Sequence, residues 1–426
     1  MNKRIYLCLA RMSETGMEQK YVKEAFDSNW VVPLGPNVNA FEKDLEDFVN
    51  HIDTPDGKRA MDKKVVALSS GTSAVHLALI ACGVQPGDEV LVQSFTFCAS
   101  ANPVSYLGAT PVFVDSEEDS WNMSPELLEQ AIIDRFEKTG KKPKAIIPVA
   151  LYGMPYQIGE IMEIAEKYGI LIIEDAAEGF GSRYQGQVLG TFGRYGVLSF
   201  NGNKMITTSG GGALICPDQE TKERIMFFAT QAREAYPYYQ HEEIGYNYRM
   251  SNICAGIGRG QMTVAEEHVR HHQHIQQMYE ELLKDVPGIA VHSSRQSAFQ
   301  SNFWLCTIML DEHLRVKGQE RAYQMAVNGA VGGAAGMVHA GGSVHTDCEP
   351  NDNVEAMRLG LDEAGIEARP LWKPMHKQPV FAHCPAYLNG VSESVFARGL
   401  CLPSGPYVSD NDVHYIVETI KSLILK

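Results

Sequence analysis

Short, almost continuously apolar runs alternate with mixed polar stretches from about residue 65 to residue 216. The runs fall at 65–68, 89–93, 111–115, 145–149, 171–174, 196–200 and 212–215. The first five are apolar at nearly every position, as strands buried on both faces are. Segments such as 73–82 and 157–168, lying between runs, read as helices. Strand alternating with helix predicts an α/β fold with a mostly parallel seven-stranded sheet between helices. The last two runs follow each other across a Gly-rich link and are expected to depart from simple βαβ succession. After Tyr248 the texture changes. A stretch rich in Gln, Glu and His, 252–285, reads as a connecting helix; strands at 303–310 and 367–370 then mix with helices at 354–364 and 410–425. The chain therefore divides into an N-terminal arm and large domain (1–250) and a connecting helix with a smaller α+β domain (251–426). The segment 328–343, NGAVGGAAGMVHAGGS, has too much glycine for a regular element and reads as a loop.

Length and composition narrow the function. A chain of 426 residues suits one large domain and a smaller one, and 44% hydrophobic with 21% charged residues is ordinary globular composition. The net charge of −15 and the lack of a basic cluster argue against a nucleic-acid partner. A local group of N–H donors can still bind a small anion. Nine scattered cysteines without a C-x-x-C pair suggest reduced thiols and a cytoplasmic location. The first apolar run is too short for a secretory signal, and no stretch is long enough to span a bilayer.

Three segments carry candidate chemistry. In SSGTSAVHLAL (69–79) a strand ends, small residues turn the chain and a helix starts near Ser73. The first amides of a helix lack internal partners and suit a phosphate, although an ordinary N-cap reads the same way. In LIIEDAAEGFG (171–181) the carboxylates Glu174 and Asp175 end an apolar strand, where open sheets bind ligands. Asp175 either caps a helix that begins after it or meets a cation such as a protonated pyridine. In LSFNGNKMITTSGGGALI (198–215) Lys204 sits in a polar, Gly-rich loop, with Ser199 five residues upstream. Alone it reads as a surface lysine. Together the three segments supply a phosphate cradle, a carboxylate and a lysine from neighbouring strand ends, the parts that pyridoxal 5'-phosphate (PLP) requires.

These segments, with GPNVNAFEKDLEDF, SFTFCASANPV, VALYG, GYNYRMSN and RPLWKPMHKQPVF, resemble the DegT/DnrJ/EryC1/StrS sugar-nucleotide aminotransferases over nearly the whole chain. The NGNKMITTSGGG and RPLWKPMH signatures are most similar to the branch that aminates C4 of UDP-4-keto-6-deoxy-N-acetylglucosamine on the way to bacillosamine. The resemblance implies a fold-type I PLP-dependent transferase. It implies that Lys204 bonds to the cofactor and moves the proton between carbons, and that Asp175 pairs with the pyridine nitrogen. Thr72 and Ser73 would give backbone amides, and Ser199 its hydroxyl, to the phosphate. Phe97 would stack on the ring, and Glu178 would lie near the cofactor. Asn247 would reach the phosphate in the neighbouring subunit, which makes the active unit a homodimer with shared sites. Lys373 and His376 resemble residues near the sugar nucleotide, with Trp30 and Arg249 as further candidates. Trp304 and Trp372 read as core packing.

The implied reaction moves an amino group from a donor, glutamate by resemblance, to the keto sugar. The alternatives are a dTDP- or GDP-linked or a 3-keto sugar, sugar dehydration (whose relatives replace the lysine), and a non-catalytic regulatory or ligand-binding protein on the same fold. A Rossmann dehydrogenase lacks its G-x-G-x-x-G. The chain departs from the family between Leu310 and Ala356, a longer link that includes His339, His345, Asp347 and Cys348 and is expected to be a surface insertion; its spacing matches no standard metal site. His268, His271, His272 and His274 are expected on a solvated helix face, and no metal is assigned.

Overall fold

The computed structural model describes residues 4–54, 57–294, 296–321 and 348–425. The predicted loop 328–343, and His339, His345 and Asp347, lie outside the described residues.

The central sheet has eight strands, in the order Ala386–Tyr387, Thr110–Val114, Glu89–Gln93, Ala145–Ile147, Leu171–Asp175, Tyr195–Ser199, Gly212–Cys216 and Lys64–Leu68. Only Gly212–Cys216 runs against its neighbours, with Tyr195–Ser199 on one side and Lys64–Leu68 on the other. The Gly-rich link thus turns the chain straight back instead of crossing over. All seven predicted strands are present. The eighth, Ala386–Tyr387, comes from the C-terminal part of the chain and pairs with Phe113 and Val114. Two residues are too few to show a pattern in the sequence.

The strands are apolar throughout because the sheet separates two cores. Val65 and Ala67 enter one core while Val66 and Leu68 enter the other, and Leu91 is likewise opposed to Val90 and Val92. Successive side chains point to opposite faces, so burial on both faces demands an apolar residue at each position. Helix Gly71–Ala81 is buried from Ser73 to Leu79, which explains why it lacks a polar stripe.

A second, antiparallel sheet of Ile289–Val291, Cys306–Leu310, Gly399–Leu402 and Arg369–Pro370 packs around a third core that includes Tyr279, Met357 and Ile416. Helices Ala265–Leu283, Asp352–Glu363 and Asp410–Leu423 supply that core's other side. The expected connecting helix is two helices, Asn252–Met262 and Ala265–Leu283. Thr263 Oγ1 donates to the Gly260 carbonyl at 2.6 Å, and Val264 leaves helical geometry at φ −122°. The first of the two packs on helices Met17–Asp27 and Pro36–Val49. The strand expected from 303 starts only at Cys306, because Phe303 takes a φ of 47° and turns the chain toward the cavity described below.

The histidine-bearing face of the second helix is not solvated, contrary to expectation. His268 and His272 are buried, whereas His274 is exposed and contacts Asp410 at 2.9 Å.

Candidate functional site

Strands Lys64–Leu68, Leu171–Asp175 and Tyr195–Ser199 run in the same direction, and the segments after their ends enclose a cavity of about 400 Å³. Thr72, Phe97, Asp175, Glu178, Ser199 and Lys204 all line it. The sheet brings together residues spread over more than a hundred positions because parallel strands deliver their carboxyl ends to one edge.

The helix after the first strand starts at Gly71, with Ser70 as N-cap. Ser70 Oγ accepts from the Ser73 amide at 3.0 Å, and Ser73 Oγ lies 2.6 Å from Ser70 Oγ and 3.1 Å from Ser69 Oγ. The Ser73 amide is therefore committed to the cap, and Ser73 is buried behind the cavity wall. Gly71 and Thr72 are the first-turn residues that line the cavity. A Cβ on Gly71 would come within 3.2 Å of Ser199 Cβ. Helix N-terminus and strand end thus converge closely enough for amides and a hydroxyl to share one anion.

Asp175 ends its strand almost fully buried. Its Oδ2 accepts from Ser100 Oγ at 2.7 Å and its Oδ1 from the Ala177 amide at 3.1 Å. Thr96 Oγ1 lies 2.9 Å from Ser100 Oγ, extending the chain of hydroxyls. Burial raises the Asp175 carboxyl above its ordinary range, while those hydrogen bonds and the charge of Lys204 pull it down. A carboxylate in such a place calls for a cationic partner.

Lys204 is held from two sides. Its Nζ lies 3.5 Å from Glu178 Oε1 and 3.9 Å from the centroid of the Trp304 ring. Glu178 Oε2 accepts from the Tyr152 amide at 2.7 Å, and burial raises the Glu178 carboxyl while Lys204 lowers it. Trp304 Nε1 donates to the Asn203 carbonyl at 2.7 Å, which ties the indole to the lysine loop. Trp304 and Trp372, expected only as core packing, both line the cavity. Tyr152 stacks between them, at 6.5 and 6.2 Å, and its hydroxyl accepts from the Trp372 amide at 2.8 Å. Its backbone sits at φ 52°, ψ 18°, a left-handed conformation that a tyrosine keeps only when its surroundings impose it. Neither Tyr152 nor Ser100 stands out in the sequence, and a lone Trp near a strand looks the same whether it lines a cavity or fills a core.

Other expected contacts fall elsewhere. Arg249 Nη1 donates to the Glu42 carboxylate and, at 2.9 Å, to the Ala67 carbonyl; it braces an N-terminal helix against the sheet rather than facing the cavity. His376 contacts Ser94 Oγ through Nδ1 at 2.7 Å and Glu393 through Nε2 at 3.1 Å, so both ring nitrogens are engaged within the chain. Lys373 is half-buried beside Trp372 in the sequence. Trp30 is exposed, and its carbonyl accepts from Asn252 Nδ2. Asn247 is exposed on a short bridge with Thr230 and does not line the cavity of its own chain. Among the described residues no group of three or more His, Cys, Asp and Glu side chains is arranged for a metal ion, and no helix is long and apolar enough to cross a membrane.

The model of the DegT/DnrJ/EryC1/StrS aminotransferase family matches residues 13–345 and 337–421. Over 427 residues the chain is 42% identical to EpsN of Bacillus subtilis (strain 168), covering 99% of this chain and 96% of that protein. Over 415 residues it is 34% identical to the GDP-perosamine synthase of Escherichia coli O157:H7, covering 97% and 98%. Among solved structures, a DegT DnrJ EryC1 StrS aminotransferase from Brucella abortus matches with a TM-score of 0.79 at 28% identity, covering 97% of this chain and 96% of that one.

Proposed function

Because the chain belongs to the DegT/DnrJ/EryC1/StrS aminotransferase family, we propose that its cavity aminates C4 of UDP-4-keto-6-deoxy-N-acetylglucosamine, with glutamate as the donor. The chain is a sugar aminotransferase that uses PLP. One observation carries the assignment of the site: Lys204, the buried Asp175 and the cradle of Gly71, Thr72 and Ser199 line a single cavity. These residues fit the cofactor. The cradle offers donors to a dianion where a side chain on Gly71 would crowd Ser199, and Asp175 is a buried carboxylate suited to a charged ring nitrogen.

When bound, pyridoxal phosphate supplies an electron sink for the carbon that carries nitrogen. The chain's own residues do the rest. Gly71, Thr72 and Ser199 would hold the phosphate, Asp175 would stabilise positive charge at the ring nitrogen, and Phe97, half exposed in the cavity lining, offers an aromatic face for the ring. Lys204 Nζ removes the α-proton of the donor and, in the second half of the reaction, delivers a proton to the sugar carbon that gains nitrogen. Glu178 and Trp304 flank that nitrogen and would locate it whenever it is not bonded to the cofactor. Trp304 and Trp372, backed by the stacked Tyr152, exclude water from their side of the cavity.

The placement of Asn247 supports an active homodimer. It lies away from its own cavity, after the exposed Tyr238, Tyr239 and Ile244, an apolar surface that a second subunit would cover while Asn247 reaches that subunit's phosphate site. Nine free thiols fit a reducing cytoplasm. A second reading of the substrate, a GDP-linked ketosugar, is favoured by the likeness to GDP-perosamine synthase.

A half-reaction tests both readings. The PLP-loaded protein is converted to the amine form with glutamate, freed of donor, and mixed separately with the UDP-linked and a GDP-linked 4-ketosugar. Return of the visible absorbance band with the UDP sugar supports the proposal. Return only with the GDP sugar transfers it to the second reading, and return with neither removes both.

A further inference from the structure

Helix Ala265–Leu283 carries His268 and His272 one turn apart on its buried face. His268 Nδ1 lies 3.2 Å from the carbonyl oxygen of Met205, the residue after Lys204. His272 Nδ1 lies 3.2 Å from the carbonyl oxygen of Phe303, the residue before Trp304. A carbonyl can only accept, so in both rings Nδ1 carries the hydrogen and donates it. Between these anchors the loop closes on itself: Lys204 Nζ lies over the Trp304 ring, and Trp304 Nε1 donates to the Asn203 carbonyl. Phe303, held at φ 47°, has the kind of backbone that persists only when external contacts impose it.

The chemistry of the two rings points to a role beyond filling space. His272 is fully buried, and its Nε2 has no hydrogen-bond partner. An apolar residue would fill the same helix face without burying an unpaired acceptor, so what histidine adds here is the Nδ1 donor. Burial pushes the His272 ring down to about 3 and also lowers His268, so both are neutral at physiological pH. The neighbouring helix adds a third tie, since Gln261 Oε1 accepts from the Thr207 amide at 3.3 Å.

We propose that His268 and His272 are positioning residues for amino transfer: their Nδ1–H groups fasten the carbonyls of Met205 and Phe303 to one rigid helix, and so hold Lys204 against the face of Trp304. The proposal rests on the reading of Lys204 as the cofactor lysine.

The test uses the full-length, PLP-loaded protein with His268→Ala, His268→Asn, His272→Ala and His272→Asn. An asparagine amide places a donor close to where Nδ1 was and removes the rest of the ring. The readouts are the pH midpoint of the cofactor's visible absorbance, and the rate and half-saturation of the glutamate half-reaction. Each Ala variant is expected to shift the midpoint and slow the half-reaction on the order of 10- to 100-fold with little change in half-saturation, as misplacement of a reacting group does. Each Asn variant is expected to recover most of the rate and the wild-type midpoint. Ala variants with wild-type midpoint and rate overturn the proposal, as do folded Asn variants as slow as Ala. Where an Ala variant does not fold, its Asn partner decides by the same criterion. A wild-type protein that shows no visible band on loading sinks the lysine reading itself, and the proposal with it.

Discussion

Lys204 and Glu178 face each other at 3.5 Å, Nζ to Oε1, inside a site where the carboxylate also accepts the Tyr152 amide and the ammonium lies over Trp304. The pair is buried, so each charge depends on the other more than it would at a surface. On the reading of Lys204 as the cofactor lysine, the carboxylate would give its Nζ a partner whenever it is not bonded to the cofactor.

On the proposed assignment, Lys204→Ala removes both the covalent partner of the cofactor and the proton carrier. Turnover should fall by at least about 10²–10⁴-fold, the usual contribution of a positioned acid–base group. The absorbance change on adding glutamate is the measurement, and a variant that converts at the wild-type rate rules out Lys204 as the catalytic lysine.

Asp175→Asn keeps the shape and an acceptor for Ser100 or Ala177 but removes the charge. The half-reaction should slow by roughly 10²-fold, the equivalent of losing about two pK units, or about 2.7 kcal/mol, of stabilisation at the ring nitrogen. PLP should also bind more weakly, as read by quenching of tryptophan fluorescence from Trp304 and Trp372. Unchanged affinity together with unchanged rate would assign Asp175 to local structure only.

Glu174, the neighbour of Asp175 in the chain, is fully buried, with Oε2 accepting from the Phe192 amide at 3.0 Å and Oε1 unpaired. Burial pushes its carboxyl from 4.5 up to about 7, against the pull of backbone amides. Below pH 4.5 folded and unfolded chains both hold this proton; between 4.5 and about 7 only the folded chain does, so stability falls as pH rises through that window. The total decline is roughly 3 kcal/mol. Glutamine cannot ionise, so Glu174→Gln should gain on the wild type by about that amount between pH 4 and 8 in urea unfolding. A constant difference across the window would show that Glu174 is not protonated in the folded state at neutral pH.

Gly153 and Gly140 separate two costs of a left-handed residue. Both have positive φ, 92° and 70°. A Cβ on Gly153 would meet Asn302 Oδ1 at 1.8 Å, while one on Gly140 meets nothing within 4 Å. Gly140→Ala should therefore cost only the conformational strain, about 1–2 kcal/mol. Gly153→Ala should add a clash and cost roughly 3 kcal/mol or more. Asn302 also donates to the carbonyls of Glu178 and Phe180, so Gly153→Ala should weaken PLP binding as well. Equal unfolding midpoints for the two variants would contradict this.

Much of the fold is legible in the sequence. Residues such as Val65, Val66, Ala67 and Leu68 are apolar in succession because two cores take alternate side chains, and that pattern survives without any knowledge of the partners. The strand Ala386–Tyr387 left no such trace, since it is set by pairing with Phe113 and Val114 and not by its own composition. The break at Thr263–Val264 was equally hidden, because the stretch has helical character on both sides and only packing decides where it divides.

The same division runs through the site. Residue type and chain order alone singled out Lys204, Asp175, Ser199 and the helix start near Thr72 as candidate parts of a PLP site, because the cofactor's phosphate, ring nitrogen and aldehyde each demand one kind of group. Only the tertiary structure decided which donors remain open to the cofactor and which are taken. Ser73 is spent on its cap, and Arg249 on Glu42 and the Ala67 carbonyl. Trp304 and Trp372 become walls of the site with Tyr152 stacked on both, and two histidines of a distant helix contact the carbonyls next to Lys204 and Trp304. The physical reason is that a hydrogen-bonding group has few partners to give, and which one it meets depends on distances between segments far apart in the chain.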